Sequence, residues 1–315
     1  HEGECNPVKE EDIREITIIH PVFYALLANP QNLKVLLRKG EKVIGFDVAD
    51  TNRISPLASY TASLLDLVIV PTKYAKKIYL ESGVSTNIEV LPHGISDIFM
   101  REERDPKDPD IKIIQRIRGI KILFFLWHSG YRKGADVLAE AWSRLVKERS
   151  DIYLVIKIAG LFDPILQYFQ ILPNVIILNK WLSEDDLVDL YDICDIVVVP
   201  SRGGGFEING LEALARGKIT IVSSWGAFND YAKFCPRIRS RGWVQLFNKG
   251  SEAYEIHCGK GVNPDPNHLY FIIKRVLRDF NSYRRYFNRL KYKIREDYSW
   301  KKIGERLYEI IKKYV

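Results

Sequence analysis

The sequence has few cysteines and lacks any long apolar run. Its four cysteines, at positions 5, 194, 235 and 258, are scattered without a CxxC pair and are too few for a disulfide framework in a chain of 315 residues. We therefore expect a reducing, cytoplasmic setting. The longest apolar runs, such as residues 122–127, stop far short of the ~20 residues that a membrane-spanning helix needs. A disulfide-rich secreted protein and a helical integral membrane protein are both disfavoured.

The composition is typical of a folded and slightly basic protein. Hydrophobic residues make up 46% of the 315 residues, enough for two domains that each bury a core. Lysine and arginine number 47 against 40 aspartates and glutamates, so the formal net charge is +7. This excess favours anionic partners such as nucleotide phosphates, nucleic acid or an acidic membrane face, without choosing among them.

Short β-branched segments alternate with helical patterns along the chain, which predicts an α/β fold of parallel sheets covered by helices. The charged segment 101–110 (REERDPKDPD) has no apolar periodicity, so we place a boundary there between domains spanning 1–108 and 109–297. Residues 298–315 predict an amphipathic helix that needs a partner surface. The predicted strands are 16–19, 42–46, 67–70, 88–91, 122–126, 153–158, 175–178, 196–199 and 219–222.

Residues 274–297 mix arginines and lysines with aromatic residues. The pattern suits nucleic acid or an anionic membrane face, and peripheral membrane contact stays open. A solvated basic helix with its aromatic residues in the core explains the pattern without any ligand, and we favour that interpretation. No specific nucleic-acid partner is expected.

A glycine cluster lies between a predicted strand and a predicted helix in residues 200–217 (PSRGGGFEINGLEALARG). Glycines let backbone N–H groups approach a phosphate closely, and a helix N-terminus adds roughly half a positive charge. The candidate anion-binding amides are those of Gly203, Gly204, Gly205 and Phe206. The alternative is a tight turn without a ligand, followed by an exposed helical Glu212.

Residues 125–136 (FLWHSGYRKGAD) repeat the passage from strand through glycine-containing loop to helix. Lys133 ends this loop, where its ammonium group can stabilise the negative charge of a departing diphosphate. An ordinary surface lysine is the alternative.

Both segments resemble the nucleotide-binding motifs of retaining GT-B glycosyltransferases of family 4 (glycosyl transferases group 1), and the resemblance covers most of the chain. In that family a loop similar to GRLxxxKG supplies an arginine and a lysine to the donor diphosphate. Lys133 stands at the lysine position and His128 at the arginine position, with Ser129 and Gly130 between them.

The family also carries two glutamates separated by seven residues. The second binds the ribose hydroxyls and matches Glu212. The first contacts the donor sugar, but its position here is occupied by Gly204. Glu207 is the nearest carboxylate that can substitute for it.

In the N-terminal half, residues 45–56 (GFDVADTNRISP) resemble the segment that faces the sugar across the cleft. Asp47 falls where some members place a histidine that contacts the donor sugar. Asp50 precedes a TNR stretch, ending in Arg53, that is similar to the TDR motif of other members. The resemblance makes both carboxylates candidates for positioning or deprotonating an acceptor hydroxyl, although turn or capping aspartates would look the same.

There are three further acceptor-side candidates, two from the family resemblance and one from its place at a strand end. Residues 71–99 resemble the family passage that closes in a PxGV-like turn, which here contains His93 and Gly94. His20 ends the first predicted strand, and ligands of open α/β sheets bind beyond the carboxyl ends of strands.

The resemblance implies two Rossmann-like domains facing a cleft, the GT-B architecture, with residues 298–315 crossing back to the N-terminal domain. It implies a retaining transfer of a sugar from a nucleoside diphosphate sugar to a hydroxyl of a glycan, lipid or protein. Lys133 and the amides of residues 203–206 would stabilise the leaving diphosphate. The scheme needs no cofactor and no metal ion, and we interpret the DPD sequence at 108–110 as an exposed linker.

Two other functions were weighed against this one. A nicotinamide-dependent dehydrogenase is disfavoured, because no GxGxxG follows a predicted strand. A catalytically silent GT-B protein that binds a sugar-nucleotide, nucleic acid or a protein partner stays open, since Gly204 and His128 depart from the family pattern and the N-terminal half is short.

Overall fold

The computed structural model describes residues 16–27, 42–126, 129–160 and 164–314, without the side chains of 25–27. Within these ranges the chain forms two parallel sheets, of four and six strands, and one antiparallel strand pair. The predicted α/β fold is confirmed. Across the described ranges, no helix combines the length and the apolar character that a membrane crossing requires.

The smaller sheet belongs to the N-terminal half. Its strands, in spatial order, are β1 (Ile16–Ile19), β2 (Lys42–Phe46), β3 (Leu67–Val70) and β4 (Asn87–Val90), all parallel. The helices that accompany them are α1 (Val22–Leu27), α2 (Pro56–Ser63) and α3 (Lys73–Glu81). Successive side chains of a strand point to opposite faces, so in β3 Val68 packs with α1–α3, whereas Leu67 and Ile69 face the other side.

The larger sheet has the strand order β10-β9-β8-β5-β6-β7, again with every pair parallel. Its strands are β5 (Ile120–Phe125), β6 (Ile152–Ile158), β7 (Val175–Asn179), β8 (Ile196–Val199), β9 (Ile219–Ser223) and β10 (Arg237–Ile238). The helices of this half are α4 (Pro109–Arg116), α5 (Gly130–Lys133), α6 (Ala135–Glu148), α7 (Leu166–Gln170), α8 (Glu184–Ile193), α9 (Ile208–Ala215), α10 (Phe228–Tyr231), α11 (Glu252–Ile256), α12 (Pro266–Arg278), α13 (Phe280–Asp297) and α14 (Trp300–Tyr314).

The antiparallel pair of β11 (Ser240–Gln245) and β12 (Lys260–Pro264) was not predicted from the sequence. Five of the six residues of β11 are exposed, so the strand carries no alternating apolar pattern. Its partner strand contains a glycine and a proline, which are depleted in strands.

The last helix, α14, lies on the face of the small sheet opposite α1–α3. Ile303 is buried there together with Ile44, Leu67 and Ile69. Just before this helix, the Tyr298 carbonyl accepts a hydrogen bond from the Ile95 N–H (2.7 Å), which joins the end of the chain to the N-terminal half. The amphipathic stripe of residues 298–315 thereby has its partner surface.

The DPD segment differs from the exposed linker that we expected. Asp108 caps α4 by accepting hydrogen bonds from the N–H groups of Asp110 (3.0 Å) and Ile111 (3.1 Å), with Pro109 in the first turn. Its carboxylate also lies 2.6 Å from the Lys180 ammonium group. A proline fixes a φ that suits a helix start, so this segment begins a helix of the C-terminal half.

The basic segment forms α13, an amphipathic surface helix. Phe287 and Ile294 are buried against the C-terminal core, whereas Arg284, Arg285 and Arg289 are exposed. This is the arrangement of a solvated basic helix.

Candidate active site

The candidate site lies where β5 and β8 end side by side. The two strands are paired at Ile122 and Ile196, yet β5 leads on to β6 on its other side. The connections that leave these two neighbouring strands therefore run toward opposite edges of the sheet. Open α/β sheets bind ligands at such switch points. The loop after β5 leads into Ser129–Gly134, and the loop after β8 spans Pro200–Glu207.

Gly134 allows these two loops to touch. Its φ is +73°, and a side-chain carbon at this position would lie 2.1 Å from the Pro200 carbonyl oxygen. The contact is strengthened by the Arg202 N–H, which donates to the Arg132 carbonyl (2.8 Å). Only glycine accepts both the left-handed backbone and the close approach, so Gly134 fixes where Lys133 lies.

Lys133 and Glu207 form an ion pair at the centre of the site. The Lys133 Nζ lies 2.9 and 2.8 Å from the two carboxylate oxygens of Glu207. The side chain of Glu207 is only 1% exposed and that of Lys133 is 16% exposed. Such a pair is shielded from water, so its charges interact more strongly than on the surface.

Glu207 adopts a left-handed backbone, with a φ of +62°, directly before α9. Its carbonyl accepts a hydrogen bond from the Tyr231 hydroxyl (2.7 Å). A non-glycine residue in this region costs of order 1–3 kcal/mol and tends to occur at functional sites. The backbone is held by Tyr231 in a conformation that turns the carboxylate toward Lys133.

The Glu207 carboxylate occupies the space that belongs to a side chain at position 204. A side-chain carbon built on Gly204 would lie 2.1 Å from Glu207 Oε1 and 3.0 Å from Glu207 Cδ. Any side chain at position 204 would therefore begin in space that the Glu207 carboxylate fills.

Arg132 is a site residue that the sequence analysis missed. Its Nη1 lies 3.7 Å from Asp50 Oδ2, 3.9 Å from Glu207 Oε1 and 3.4 Å from the Gly203 carbonyl oxygen. Its side chain is largely buried. The only signal in the sequence was its position next to Lys133. His128, which aligns with the family arginine, lies outside the described residues.

Asp50 brings the N-terminal half into the same site. A side-chain carbon on Gly203 would lie 2.2 Å from the Asp50 carbonyl oxygen, so the two segments are in direct contact. Burial opposes ionisation of Asp50, but the positive charges of Arg132, His257 and Lys133 hold the pKa of its carboxyl below the usual value. Asp50 is therefore an ionised carboxylate across from the 203–207 loop.

Glu212 lies one turn inside α9 and its Oε2 accepts a hydrogen bond from the Tyr191 hydroxyl (2.7 Å). Burial raises the pKa of Glu212 to about 7, with the Tyr191 hydrogen bond acting in the opposite direction. The carboxyl therefore holds a proton over part of the neutral range when no ligand is bound.

The acceptor-side candidates of the N-terminal half do not all lie in one place. His20, Asp47 and His93 line one cavity of about 350 Å³ at the carboxyl ends of β2 and β3. Gly94 packs directly under the Trp300 ring. Arg53 does not line this cavity: its side chain is exposed, and its carbonyl accepts a hydrogen bond from Gly259 N–H.

Asp47 has a structural role as well as a place in the cavity. Its two oxygens accept hydrogen bonds from the N–H groups of Phe23 (2.8 Å) and Val48 (2.7 Å). Burial outweighs these bonds and raises the pKa of Asp47 to about 7. Asp47 therefore accepts backbone hydrogen bonds as a capping or turn aspartate would, in addition to lining the cavity.

His93 links the cavity to the loop Pro200–Glu207, which we call the donor loop because its amides are the candidate donor-binding groups. Its ring meets the Phe206 ring edge to face, with centroids 5.0 Å apart. Burial, together with the nearby His20, lowers the pKa of His93, which is therefore neutral at pH 7. Among the described residues, no cluster of three or more histidine, cysteine or acidic side chains is arranged to hold a metal ion.

Two parallel-sheet halves that meet over such a site define the GT-B architecture, and known structures agree. The chain is similar to HepE of Anabaena, solved in complex with UDP and glucose, with a TM-score of 0.68 and 15% identity over 95% of this chain and 78% of HepE. At this identity the likeness establishes the fold.

The family comparison then gives the class of enzyme. Residues 120–234, which contain the β5 and β8 loops, match the family model described as Glycosyl transferases group 1. A lipopolysaccharide 1,2-N-acetylglucosaminetransferase of Salmonella typhimurium is 24% identical over 52% of this chain and 45% of its own length. The resemblance to glycosyl transferases group 1 is confirmed over this segment, and the enzyme class that the comparisons support is glycosyltransferase.

A relative similar over nearly the whole chain comes from a virus. Uncharacterized protein 356 of Sulfolobus islandicus rod-shaped virus 1 is 29% identical over 95% of this chain and 85% of its own length. The similarity therefore extends beyond the matched nucleotide-binding segment into the N-terminal half.

Proposed function

We propose that this glycosyltransferase moves a sugar from a nucleoside diphosphate sugar to a hydroxyl acceptor, with retention of configuration and without a metal ion. The observation that carries the proposal is the ion pair of Lys133 with Glu207 at the junction of the two glycine-containing loops. HepE was solved with UDP and with glucose, so UDP-glucose is the first donor to test.

The diphosphate has three sources of positive potential in this site. Lys133 and Arg132 supply cationic side chains, and the backbone amides of residues 203–206 precede the N-terminus of α9. Preorganised donors and cations of this kind stabilise a charge that develops in the transition state. Glu212, further along α9, would accept hydrogen bonds from the ribose hydroxyls.

In the transfer step, the bond between the sugar C1 and the β-phosphate oxygen breaks and its electron pair stays on the phosphate. The acceptor oxygen forms the new bond to C1 on the same face of the sugar. The acceptor proton passes to the departing phosphate or to an ionised carboxylate on the N-terminal side. Retention follows from the family resemblance, and Glu207 would contact the donor sugar in place of the carboxylate missing at position 204.

The decisive experiment combines donor binding with turnover. UDP-, GDP- and ADP-glucose are screened by thermal shift, because a ligand at 100 times its Kd adds about 2.7 kcal/mol to the free energy of unfolding. The donor that binds is then followed for release of nucleoside diphosphate, alone and with hydroxyl acceptors. Binding without any release would favour the catalytically silent alternative, and no binding of any donor would contradict the proposal.

A further inference from the structure

The cavity of about 350 Å³ between the small sheet and α14 is lined mainly by apolar side chains. It lies at the carboxyl ends of β2 and β3 and is closed on one side by α14. Its volume is in the range of small-molecule sites, about 300–1,000 Å³. The apolar side chains that line it include Ile18, Phe46, Ile69, Leu91, Ile303 and Leu307.

The polar groups of this cavity do not suit a charged ligand. None of the described residues that line it is a lysine or an arginine. His93 is neutral at pH 7 because burial lowers its pKa, and Asp47 repels anions when it is ionised. A phosphate or carboxylate placed here would lose its hydration without gaining a cationic partner, which is costly.

The cavity adjoins the donor loop. Val48, one of its lining residues, lies where a side chain on Gly205 would be, 2.3 Å from that position. His93, another lining residue, contacts the ring of Phe206. A ligand in the cavity therefore ends beside Gly205–Glu207, where the donor sugar would lie.

A glycine in α14 lies at the exposed edge of the cavity. Gly304 lines the cavity, and a side-chain carbon at this position would meet no atom within 4 Å. It shares its helix face with Trp300 and Leu307, which also line the cavity. Glycine is unfavourable inside a helix, and none of the described side chains fills the space that it leaves.

We propose that the acceptor is an uncharged amphiphile, whose hydroxyl-bearing end lies at Asp47, His20 and His93 and whose apolar tail fills the cavity beneath α14. The inference rests on the proposed function for its acceptor role. The apolar lining side chains bind the tail because both surfaces are removed from water. The contact of Val48 and His93 with the donor loop places the hydroxyl beside the sugar.

Alkyl β-glucosides of increasing chain length test this inference. Butyl, hexyl and octyl glucoside, each below its micellar concentration, are titrated calorimetrically into the protein, with glucose and glucose 6-phosphate as polar controls. We expect affinity to rise about fourfold per methylene until the cavity is full. Glucose and glucose 6-phosphate should bind at least 100-fold more weakly than octyl glucoside.

A matched pair of variants assigns this binding to the cavity. Gly304→Phe places a ring in the open space and should weaken octyl glucoside binding at least 10-fold. Gly304→Ala adds only a methyl group and should leave binding within twofold while raising the Tm. Circular dichroism and the Tm report whether Gly304→Phe is folded. If it is not, Gly304→Leu replaces it in the same titration.

Nucleoside diphosphate binding, measured in parallel, separates this inference from the proposed function. Two outcomes would overturn the inference alone while diphosphate binding stays normal in every variant. In the first, glucoside affinity does not depend on chain length; in the second, filling position 304 has no effect on that affinity. Chain-length-dependent glucoside binding in a protein that binds no nucleoside diphosphate would instead overturn the proposed function and leave the apolar ligand site standing.

Discussion

At the scale of single residues, Lys133 is expected to contribute to turnover and, through its ion pair with the buried Glu207, to stability. In the proposed function its ammonium group contacts the donor diphosphate, and removing one preorganised electrostatic contact typically costs about 10²-fold or more in rate. Lys133→Ala should therefore lower kcat/KM by on the order of 10², and it should also lower the Tm, because it leaves the buried Glu207 carboxylate without its ion-pair partner. Lys274→Ala is the matched control, because Lys274 pairs with Glu148 on the outer surface (2.6 Å). Equal loss in both variants would contradict the assignment.

The positions of Gly204 and Glu207 predict a rescue experiment. Glu207→Gly removes the carboxylate and should lower turnover by about 10²-fold, while relief of the left-handed backbone offsets part of the stability lost with the Lys133 ion pair. Adding Gly204→Glu to this variant supplies a carboxylate from the neighbouring position, whose Cβ would lie in the space that Glu207 Oε1 occupies in the parent. We expect the double variant to recover at least 10-fold in kcat/KM relative to Glu207→Gly. A double variant no better than the single one would show that proximity of the carboxylate to position 204 is incidental.

Glu212 couples nucleotide binding to pH. Burial raises its pKa from the ordinary 4.5 to about 7, so the native state keeps a proton that the unfolded chain has lost between these values, and stability falls as the pH rises through this window. Ribose hydroxyls donate hydrogen bonds to the ionised form. Binding of the nucleoside diphosphate should thus release part of a proton near pH 6.5, and affinity should rise with pH up to about 7.

Calorimetry in two buffers of different ionisation enthalpy measures the released proton. In Glu212→Gln the release should disappear and affinity should fall about 10- to 100-fold, because hydrogen bonds to charged groups are worth roughly 1.5–3 kcal/mol. Proton release that persists in Glu212→Gln would assign the coupling to another group.

At the scale of elements, the loop from β5 to α6 depends on one glycine. Gly134→Ala introduces both an unfavourable φ and a contact of 2.1 Å with the Pro200 carbonyl. Gly250→Ala is the matched control, because Gly250 also has a positive φ of +83° but would meet no neighbour within 4 Å. The control should lose roughly 1–2 kcal/mol of unfolding free energy for the backbone strain alone. Gly134→Ala should lose more and should also weaken nucleoside diphosphate binding about 10-fold, which denaturant unfolding and calorimetry measure.

The elements differ in how far the sequence could predict them. Nine of the ten strands of the parallel sheets were readable as short β-branched runs, and the central ones, such as LVIV at 67–70, are buried on two faces. The tenth, β10, has only two residues and was missed. The pair β11 and β12 was not readable, because β11 is largely exposed, β12 contains a glycine and a proline, and the pairing is interrupted by a register shift. The segment at 108–110 was read as a linker because proline and aspartate mark turns, although they equally mark a helix start.

The site shows the same limit. Lys133 and Glu212 were chosen because they occupy family positions, and their roles at the site stay predictions. Arg132 could not be predicted, since its contacts with Asp50 and Glu207 depend on how the two halves meet. The sequence likewise showed that Glu207 is close to position 204 along the chain. The direction of its carboxylate depends on the left-handed backbone of Glu207, which the sequence did not reveal.

At the scale of the whole molecule, several contacts join the two halves around the cleft. The Lys73 N–H donates to Asp230 (2.7 Å), and the Lys260 N–H donates to Asn52 Oδ1 (2.7 Å). Helix α14 adds a third connection, because it belongs to the end of the chain but packs on the N-terminal sheet. The cleft that contains Lys133, Glu207 and Asp50 is therefore bounded on both sides by fixed elements.

The charges gathered in this cleft lead to a prediction about metal ions. A transferase that uses a divalent cation needs carboxylates free to coordinate it, but here Glu207 is paired with Lys133 and Asp50 lies 3.7 Å from Arg132. Lys133, Arg132 and the amides before α9 already supply positive potential where a metal-dependent enzyme would place its cation. We expect turnover of the donor to be unchanged within about twofold in a large excess of EDTA. Loss of activity in EDTA, with recovery on adding Mn²⁺ or Mg²⁺ above the chelator concentration, would contradict this scheme. Lys133→Ala provides the internal comparison: if the lysine takes the electrostatic role of a metal, millimolar Mg²⁺ should partly restore turnover in the variant while leaving the parent unaffected.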